Sequence, residues 1–580
     1  MSASEVAGVL QQISALLELT GANPFKVRAY ENASRVLPGL GEELAALVER
    51  GDLRRVRGIG SGIAEKVAQL ARTGRLEYYE ELRARVPEGL LEMLRIPGLG
   101  PKKIKLLYDE LDIATVEALE QACRDDRLEA LRGFGAKTQE NILGGIAHLK
   151  RVSARFFWSV AFEHASPVLE SLRQLRAVRR AELAGSLRRR RETVHDVDIV
   201  ASTSEPATVT QHFVAGPWAD RVIGSGPTKT SILHPSGLQI DLRVVSETQF
   251  PYALHHFTGS KEHNVAMRGR AQRMGIKINE YGLFHGDELI ECADEGQIFS
   301  ALGLAYVPPE LREDQGEIEA AENDALPRAL VELDDLRGAF HVHTRYSDGT
   351  GSITQMVEAA RELGWKYIGV SDHSRNATKT RGMSLERVLE QLDEIERVAR
   401  KARGIRVFRG VESEILPDGS LDYPDDVLRR FDFVIASVHD GFDLGRDEQT
   451  RRVLRALENP FTTILGHPTG RILFGTRGLE LDLPAILGCA ARHGVVVEIN
   501  GQPKRMDLDG PGAKLARDKG ALLSIGPDAH DVASLVNVRY GVGLARRGWL
   551  EPRHVLNTWK LEKVVRYLQE RRQRAEVSPA

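Results

Sequence analysis

The chain has 580 residues, 42% of them hydrophobic and 28% charged, and a formal net charge of −3. This length exceeds what one hydrophobic core can hold, so about two to four domains are expected. The near-neutral charge excludes a uniformly basic nucleic-acid binder, and any contact with a polyanion must come from local patches and backbone amides. The apolar runs fall short of the roughly 18 residues that a membrane span needs. Three widely spaced cysteines exclude a disulfide framework or a thiolate zinc site and favour the cytoplasm.

Three similar glycine turns occur in the first quarter of the chain, each between helical patterns. A Gly-x-Gly turn lets the backbone take positive φ, and the following helix offers free N–H groups to a phosphate. A single copy usually caps a helix, whereas three copies favour helix-hairpin-helix motifs that hold the DNA backbone. The first two copies match best, and the third fits a plain helix junction equally well. The predicted DNA contacts are Gly58, Gly60, Gly98, Gly100 and Lys102.

An Asp-x-Asp motif lies in a strand-like run, where Asp196 and Asp198 share one face because side chains alternate along a strand. Asp241 lies inside a second apolar run, where burying a bare carboxylate would be very costly. Three such carboxylates suit two hard cations about 3.5–4 Å apart, which activate a hydroxyl and stabilise a leaving pyrophosphate. Alone, the Asp-x-Asp pair favours a strand edge facing water. The upstream turn Gly185-Ser186-Leu187-Arg188-Arg189 and Asp241 reverse that preference.

Residues 1–312 resemble family X DNA polymerases in these motifs and in the segment His256–Asn264 (HFTGSKEHN). The resemblance implies a lyase-like helical domain at 1–85, fingers at 86–152, a nucleotidyltransferase-type palm at 153–245 and a thumb at 246–312. It also implies Mg²⁺ or Mn²⁺ as cofactor, with dNTPs and gapped or nicked DNA as partners. The implied roles are metal binding and catalysis by Asp196, Asp198 and Asp241, triphosphate binding by Gly185, Ser186 and Arg189, sugar contact by Phe257 and Gly259, and contact with the nascent base pair and template by Asn264 and Arg268.

Three positions depart from the family pattern, and a fourth, Lys66, matches it but leaves its role open. His256 replaces a tyrosine of the animal enzymes, Gln239 an arginine that bonds the third aspartate, and His195 a glycine near the phosphates. Rate and sugar selectivity therefore do not follow from the resemblance. Lys66 aligns with the family's Schiff-base lysine, and two interpretations stay open. It is either the amine of a deoxyribose phosphate lyase, which needs a lowered pKa, or an ordinary solvated helix lysine.

The second half begins with an acidic stretch at 313–336, which we expect to be a linker with some helix. Seven apolar strand-like runs then alternate with helices, which predicts a parallel α/β barrel. Several of these runs end in histidine or a carboxylate, which places them on the rim where barrel enzymes keep their chemistry. Imidazole with carboxylate suits Zn²⁺, Mn²⁺ or Fe²⁺, and such clustered ions hydrolyse phosphoesters. The predicted ligands are His341, His343, Asp348, His373, Glu412, His439, His467, Asp528 and His530.

The segment 337–575 is similar to the PHP (polymerase and histidinol phosphatase) domain. This similarity implies a distorted (β/α)7 barrel, two to three metal ions and a 3′–5′ exonuclease or 3′-end phosphoesterase. Glu414, beside the ligands, either orients one of them or is solvated.

Together, the resemblances predict a monomeric, cytoplasmic enzyme that fills short gaps in DNA repair, base-excision repair included, and trims 3′ ends. One rival is a DNA-end-binding protein with a weak polymerase site whose PHP domain is the main enzyme. Another makes the PHP half a small-molecule phosphatase, although its linkage to DNA-holding modules weighs against that.

Overall fold

A computed structural model of the chain describes residues 3–37, 43–56, 58–94, 96, 99–128, 131, 133–153, 155–377, 380–474 and 478–577. The backbone divides into two compact units, Met1–Ala154 and Arg155–Ala580, which are taken separately below. Within those ranges, no helix is both long and apolar enough to cross a membrane.

The first unit is helical and is built on amphipathic helices around one core. Buried positions on α1 (Leu10, Ile13) recur at helical spacing and pack with Val67 and Ile104. Asn23 caps α2 by accepting a hydrogen bond from the Phe25 N–H. The helices are α1 Ala3–Leu19, α2 Pro24–Val36, α3 Glu43–Arg50, α4 Ser61–Thr73, α5 Glu77–Ala84, α6 Glu88–Met93, α7 Pro101–Leu111, α8 Val116–Arg124 and α9 Ala136–Ser153.

The second unit opens with a five-stranded sheet in the region predicted as the palm. Its order is β2-β4-β7-β6-β5, and only β4 and β7 are parallel neighbours. Apolar residues on one face of β4 and β7, such as Val197 and Ile240, pack against α10 and α12. The elements are β1 Phe156–Phe157, α10 Trp158–Gln174, β2 Val178–Leu183, α11 Gly185–Arg188, β3 Thr193–Val194, β4 Asp196–Thr203, α12 Pro206–Ala215, β5 Arg221–Ser225, β6 Lys229–Leu233 and β7 Gln239–Val245.

The region predicted as the thumb follows, and the predicted linker packs against it. Ile318 and Leu330, from the linker, share a core with Phe299 of the thumb and Trp549 near the C-terminus. The acidic stretch is therefore a folded part of the second unit. The elements are α13 Phe250–Thr258, α14 Lys261–Arg273, β8 Ile276–Ile278, β9 Leu283–His285, β10 Glu288–Leu289, α15 Glu295–Ala301 and α16 Glu317–Glu322.

Seven parallel strands follow in sequence order, and the bridge between Val342 and Ala529 brings the first and last together. The predicted parallel barrel is confirmed as a nearly closed (β/α)7 barrel. Phe433 fills its interior, because Gly369 and Gly410 have no side chain to occupy that space. The elements are β11 Gly338–Ala339, α17 Ile353–Glu362, β12 Tyr367–Val370, α18 Leu385–Lys401, β13 Arg406–Glu414, α19 Asp425–Leu428, β14 Phe433–Ser437, α20 Arg446–Glu458, β15 Ile464–Leu465, α21 Leu483–His493, β16 Val496–Asn500, α22 Gly510–Asp518, β17 Leu523–Gly526, α23 Val538–Arg547 and α24 Leu561–Val577.

Candidate active sites

The predicted palm carboxylates lie on the two parallel strands at the centre of the sheet. Asp198 stands opposite Asp241 in the register of β4 and β7, and Asp196 is two residues before Asp198. Burial, together with the charges of Asp196 and Asp241, raises the pKa of Asp198 to about 7. Burial and Asp241 also raise the pKa of Asp196. The cluster is therefore short of positive charge, as expected of a site for divalent cations.

The three aspartates are adjacent without being gathered around a single point. Within the described part of the chain, they do not each bring an oxygen to within 4.8 Å of the other two.

Two side chains contact Asp241 directly. Gln239 Nε2 donates to Asp241 Oδ1 at 2.9 Å, and Lys229 Nζ lies 2.5 Å from Oδ2. Gln239 thus bonds the third aspartate, although its side chain is uncharged, and Lys229 supplies a positive charge. Sequence reasoning missed Lys229, whose only signal is tertiary. Because Ser231 pairs with Asp241, Lys229 lies on the same face of β6, two residues away.

The predicted triphosphate turn begins at Gly185, which is separated from the end of β2 by Ala184 alone. Gly185 has φ +63°, and a Cβ there would lie 2.4 Å from Asp198 Oδ2. Only glycine lets the turn pass so close to the carboxylate. Ser186 lies in the same turn. Arg189 is largely buried, with Nε 2.9 Å from Glu313 Oε1. The turn thus lies beside the aspartates, and Arg189 has an ion-pair partner that the sequence did not indicate.

The remaining predicted nucleotide contacts lie around the junction of α13 and α14. Gly259 separates the two helices and has φ +70°, while Phe257 is half-buried at the end of α13. Asn264 Nδ2 donates to the His256 carbonyl at 2.7 Å. Asn264, His256 and the exposed Arg268 line one small pocket. These positions all lie at or near the junction of the two helices.

The glycine turns of the first unit precede helices. Gly58 has φ +100°, and Gly60 is the residue immediately before α4. Gly100 holds the same position before α7, and Lys102 is exposed in the first turn of that helix. The predicted contact Gly98 lies outside the described residues. Both helices therefore directly follow a glycine, as expected of a helix-hairpin-helix.

Lys66 lies on α4 beside an aromatic side chain. Its Nζ is 5.0 Å from the centre of the Tyr78 ring and donates to the Gly62 carbonyl at 3.2 Å. Lys26 approaches the same ring, at 5.1 Å. Two amines thus lie around one tyrosine, which is a suitable arrangement for an anion.

The nine predicted barrel ligands come together at the carboxyl ends of the strands. Each belongs to at least one group whose ligand atoms all lie within 4.8 Å of one another. Glu412 is central, because His467 Nε2 and His373 Nδ1 lie 2.9 and 2.8 Å from its two oxygens. The groups are His343, Asp348, His373 and His530; His341, Glu412 and His467; His341, His343 and Asp528; and His373, Glu412 and His439.

The donor set of the barrel suits metal ions. The Nδ1 atoms of His343 and His467 are buried, and neither finds a hydrogen-bond partner among the described residues. Burial lowers the pKa of both imidazoles to about 4, which keeps them neutral, as metal ligands must be. Burial disfavours the charged form of His439. The interactions with Glu412 and Glu414 outweigh this effect of burial and raise the pKa of His439 to about 10.

Two buried glutamates each contact the Nδ1 atom of a histidine that was predicted to bind metal. Glu414 Oε2 lies 2.7 Å from His439 Nδ1, which supports the orienting interpretation over the solvated one. Glu498 Oε1 lies 2.6 Å from His341 Nδ1. Its other oxygen, Oε2, accepts a hydrogen bond from the backbone N–H of His467 at 2.7 Å. Such contacts fix the ring and leave Nε2 for the metal. Sequence reasoning missed Glu498. Its signal was a carboxylate near the end of the apolar run VVVEIN.

A nucleotidyltransferase-type palm joined to a metal-binding (β/α)7 barrel defines a class of two-site enzymes acting on phosphoesters. Comparison with known domain families agrees. The chain matches a helix-hairpin-helix domain at residues 1–76, a helix-hairpin-helix tandem at 90–146, the DNA polymerase beta thumb at 253–313 and the PHP domain at 339–478.

The similar proteins extend this result to the whole chain. The DNA polymerase/3′-5′ exonuclease PolX of Bacillus subtilis is 36% identical over 98% of this chain and 99% of its own length. A probable phosphatase of Caldanaerobacter subterraneus is 27% identical over 41% of this chain and 94% of its own length. A crystal structure of Leishmania infantum polymerase beta matches 39% of this chain and all of its own, with 25% identity and a TM-score of 0.31. The chain belongs to the family X DNA polymerases that have a C-terminal PHP domain.

Proposed function

We propose that this chain fills short gaps in damaged DNA and that its PHP barrel removes nucleotides or blocking groups from 3′ ends. The observation that supports this best is the presence of two separate acidic sites, one on the palm sheet and one on the barrel rim. Gapped or nicked DNA and dNTPs are the proposed substrates, in strand-break and base-excision repair. We also propose that the protein acts as a monomer in the cytoplasm, which its three free, buried cysteines suit.

At the palm, Asp196, Asp198 and Asp241 would hold Mg²⁺ or Mn²⁺. When bound, such ions activate the primer 3′-hydroxyl and stabilise the leaving pyrophosphate. The turn at Gly185 and Ser186, with Arg189, would receive the triphosphate through N–H, hydroxyl and guanidinium groups. Phe257 and Gly259 would contact the sugar, and Asn264 and Arg268 the nascent base pair and the template. Lys229 and Gln239 would keep Asp241 oriented.

At the barrel, the nine ligands would hold two to three ions of Zn²⁺, Mn²⁺ or Fe²⁺. When bound, such ions supply a water of lowered pKa for phosphoester hydrolysis. Glu414 and Glu498 would hold His439 and His341 so that each presents Nε2 to the metal.

The two-site assignment is tested by inactivating each site separately. Replacing Asp196 and Asp198 with Ala should abolish nucleotide addition on gapped DNA and leave Mn²⁺-dependent 3′ digestion intact. Replacing His341 and His343 with Ala should do the reverse. If either pair removes both activities from a folded protein, or neither, the assignment is wrong.

Two further assays separate the rival functions. Single-turnover primer extension on gapped DNA should add a nucleotide, whereas a protein that only binds DNA ends would add none. A 3′-recessed duplex should be hydrolysed in preference to a sugar phosphate. The similarity of the barrel to probable phosphatases makes this second comparison necessary.

For Lys66, we propose a Schiff base with a 5′-deoxyribose phosphate. Its position beside Tyr78 and Lys26 supports this role, because the second amine could receive the phosphate. Borohydride should trap the wild-type protein on such DNA and should fail to trap Lys66→Ala. Equal trapping of the two would assign the reaction elsewhere.

A further inference from the structure

The triphosphate turn is followed by a run of charged residues, 188–192, and every one of them pairs with a residue beyond the palm sheet. Such a run would ordinarily be a solvated surface, because isolated charges are costly to bury. Here the partners come from the thumb, the segment after it and the PHP barrel. The pairs are Arg188 with Glu295 at 2.6 Å, Arg189 with Glu313 at 2.9 Å, Arg190 with Glu310 at 3.2 Å, Arg191 with Glu313 at 3.1 Å and Glu192 with Arg471 at 3.4 Å.

Helix α23 of the PHP barrel reaches the same run. Arg547, at its C-terminal end, donates from Nη1 to Glu313 Oε1 at 2.9 Å and to the Arg189 carbonyl at 3.2 Å. The same helix packs against Arg190, whose Cδ would be 3.3 Å from a Cβ at Gly543. A residue of the barrel therefore contacts both the backbone of Arg189 and the carboxylate that holds its side chain.

The cluster around Glu313 is buried and consists of paired charges. The side chains of Arg547, Glu313 and Arg189 are only 4%, 10% and 12% exposed. One carboxylate serves three guanidinium groups, those of Arg189, Arg191 and Arg547. A second buried carboxylate, Glu192, lies near Arg547 and Arg191; burial opposes its charge, but these cations hold its pKa below the usual value.

Arg189 is fixed in orientation by this cluster. Its Nε pairs with Glu313, and its Nη1 donates to the carbonyl of Thr258, next to Gly259. The guanidinium thereby joins the triphosphate turn to the junction of α13 and α14. A side chain that is already ordered loses less entropy when it binds its ligand.

We propose that Arg547 of the PHP barrel is a positioning residue of the polymerase's nucleotide site, holding Glu313 and the backbone of Arg189 so that Arg189 can bind the triphosphate. The inference rests on the proposed role of Arg189. It makes the barrel part of the nucleotide site, in addition to its own hydrolytic chemistry.

The test compares Arg547→Ala, Arg547→Lys, Arg189→Ala and the double variant Arg189→Ala/Arg547→Ala. Arg539→Ala is the matched control, because Arg539 is exposed on the same helix and, within the described part of the chain, bonds the Tyr540 hydroxyl beside it. One measurement is the KM and kcat for dNTP on gapped DNA. Another is dNTP binding to a gapped duplex with a dideoxy-terminated primer, which requires no turnover. The third is exonuclease rate, which reports an intact barrel.

Arg547→Ala should raise the KM and the dissociation constant for dNTP about tenfold, with kcat changed less and the exonuclease rate unchanged. Arg547→Lys should recover only part of the loss, because an ammonium cannot reproduce the two-point contact. The double variant should bind dNTP no more weakly than Arg189→Ala, since both residues act through one guanidinium. Arg539→Ala should resemble the wild type.

The failures are distinguishable. If Arg189→Ala weakens dNTP binding and Arg547→Ala does not, the positioning role is overturned while the proposed function stands. If Arg189→Ala leaves dNTP binding unchanged, the triphosphate assignment in the proposed function is wrong. If Arg547→Ala loses exonuclease activity through misfolding, the proposal is tested with Arg547→Lys instead. Weaker dNTP binding by Arg547→Lys with a normal exonuclease rate supports the proposal. Normal dNTP binding with a normal exonuclease rate overturns it.

Discussion

Replacing Glu498 with Gln tests whether a carboxylate that binds no metal itself controls metal binding in the barrel. Glu498 is buried, and both of its oxygens form hydrogen bonds, one with His341 Nδ1 and one with the backbone N–H of His467. The space is tight, because a Cβ at Gly526 would lie 2.0 Å from Glu498 Oε1. Glutamine keeps the shape but removes the charge and replaces one acceptor with a donor.

The magnitude follows from the hydrogen bond that the glutamine cannot make. A buried hydrogen bond to a charged group contributes about 1.5–3 kcal/mol. Since each 1.4 kcal/mol corresponds to a factor of about ten, the loss of one such bond should weaken metal binding roughly 10- to 100-fold. The effect should appear as a higher Mn²⁺ concentration for half-maximal exonuclease activity. Excess Mn²⁺ should restore much of the rate, because all nine ligands remain.

The assay is a Mn²⁺ titration of 3′ digestion, together with the metal content of the purified protein. Asp432→Asn is the control, since Asp432 is a barrel carboxylate that pairs with Arg409 and no ligand histidine among the described residues. Gap filling should be unchanged in both variants. A Mn²⁺ requirement of Glu498→Gln equal to that of the wild type would refute the orienting role of Glu498.

Three further predictions concern stability. Burial raises the pKa of Asp507 from 3.8 to about 6, so the contribution of Asp507 to stability should fall as the pH rises from about 4 to 6 and then level off. Asp507→Asn should therefore match the wild type in thermal unfolding at pH 4 and exceed it at pH 8; equal melting temperatures at pH 8 would contradict this. Phe433→Ala should cost about 3–5 kcal/mol in urea unfolding, because it empties the barrel interior, and a cost below about 1 kcal/mol would mean that the interior collapses. Glu295→Ala should also cost about 3–5 kcal/mol, since Arg188 and the fully buried Arg312 both pair with this carboxylate; an unchanged urea midpoint would show that water replaces it.

The barrel ligands could be predicted from the sequence because their pattern is local. All of them except Asp348, which follows His343 by five residues, lie where an apolar run ends, and the carboxyl ends of parallel strands meet on one rim. The alternation of His341-Val342-His343 and of Asp196-Val197-Asp198 likewise fixes which side chains share a face. Strand periodicity therefore predicted most of the candidate barrel ligands, and it predicted that Asp196 and Asp198 share one face.

Other parts of both sites were not predictable in this way. Lys229 contacts Asp241 only because β6 pairs with β7 in one register, and Glu498 contacts His341 across 157 residues of chain. A one-residue shift in register would move either side chain to the opposite face.

The charged stretches show the same limit most clearly. The arginine run 188–191 and the acidic stretch from 313 each have the composition of a solvated surface, and the second was predicted to be a linker. In the folded chain Glu313 of the acidic stretch pairs with Arg189 and Arg191, and Arg547 joins them from 234 residues beyond Glu313. The sequence by itself determined the strand-like runs of the barrel and the candidate ligands at their ends, since these follow from local periodicity. Only the tertiary structure decided which charges are buried, because a charge is stable in the interior only beside a partner that distant chain segments bring to it.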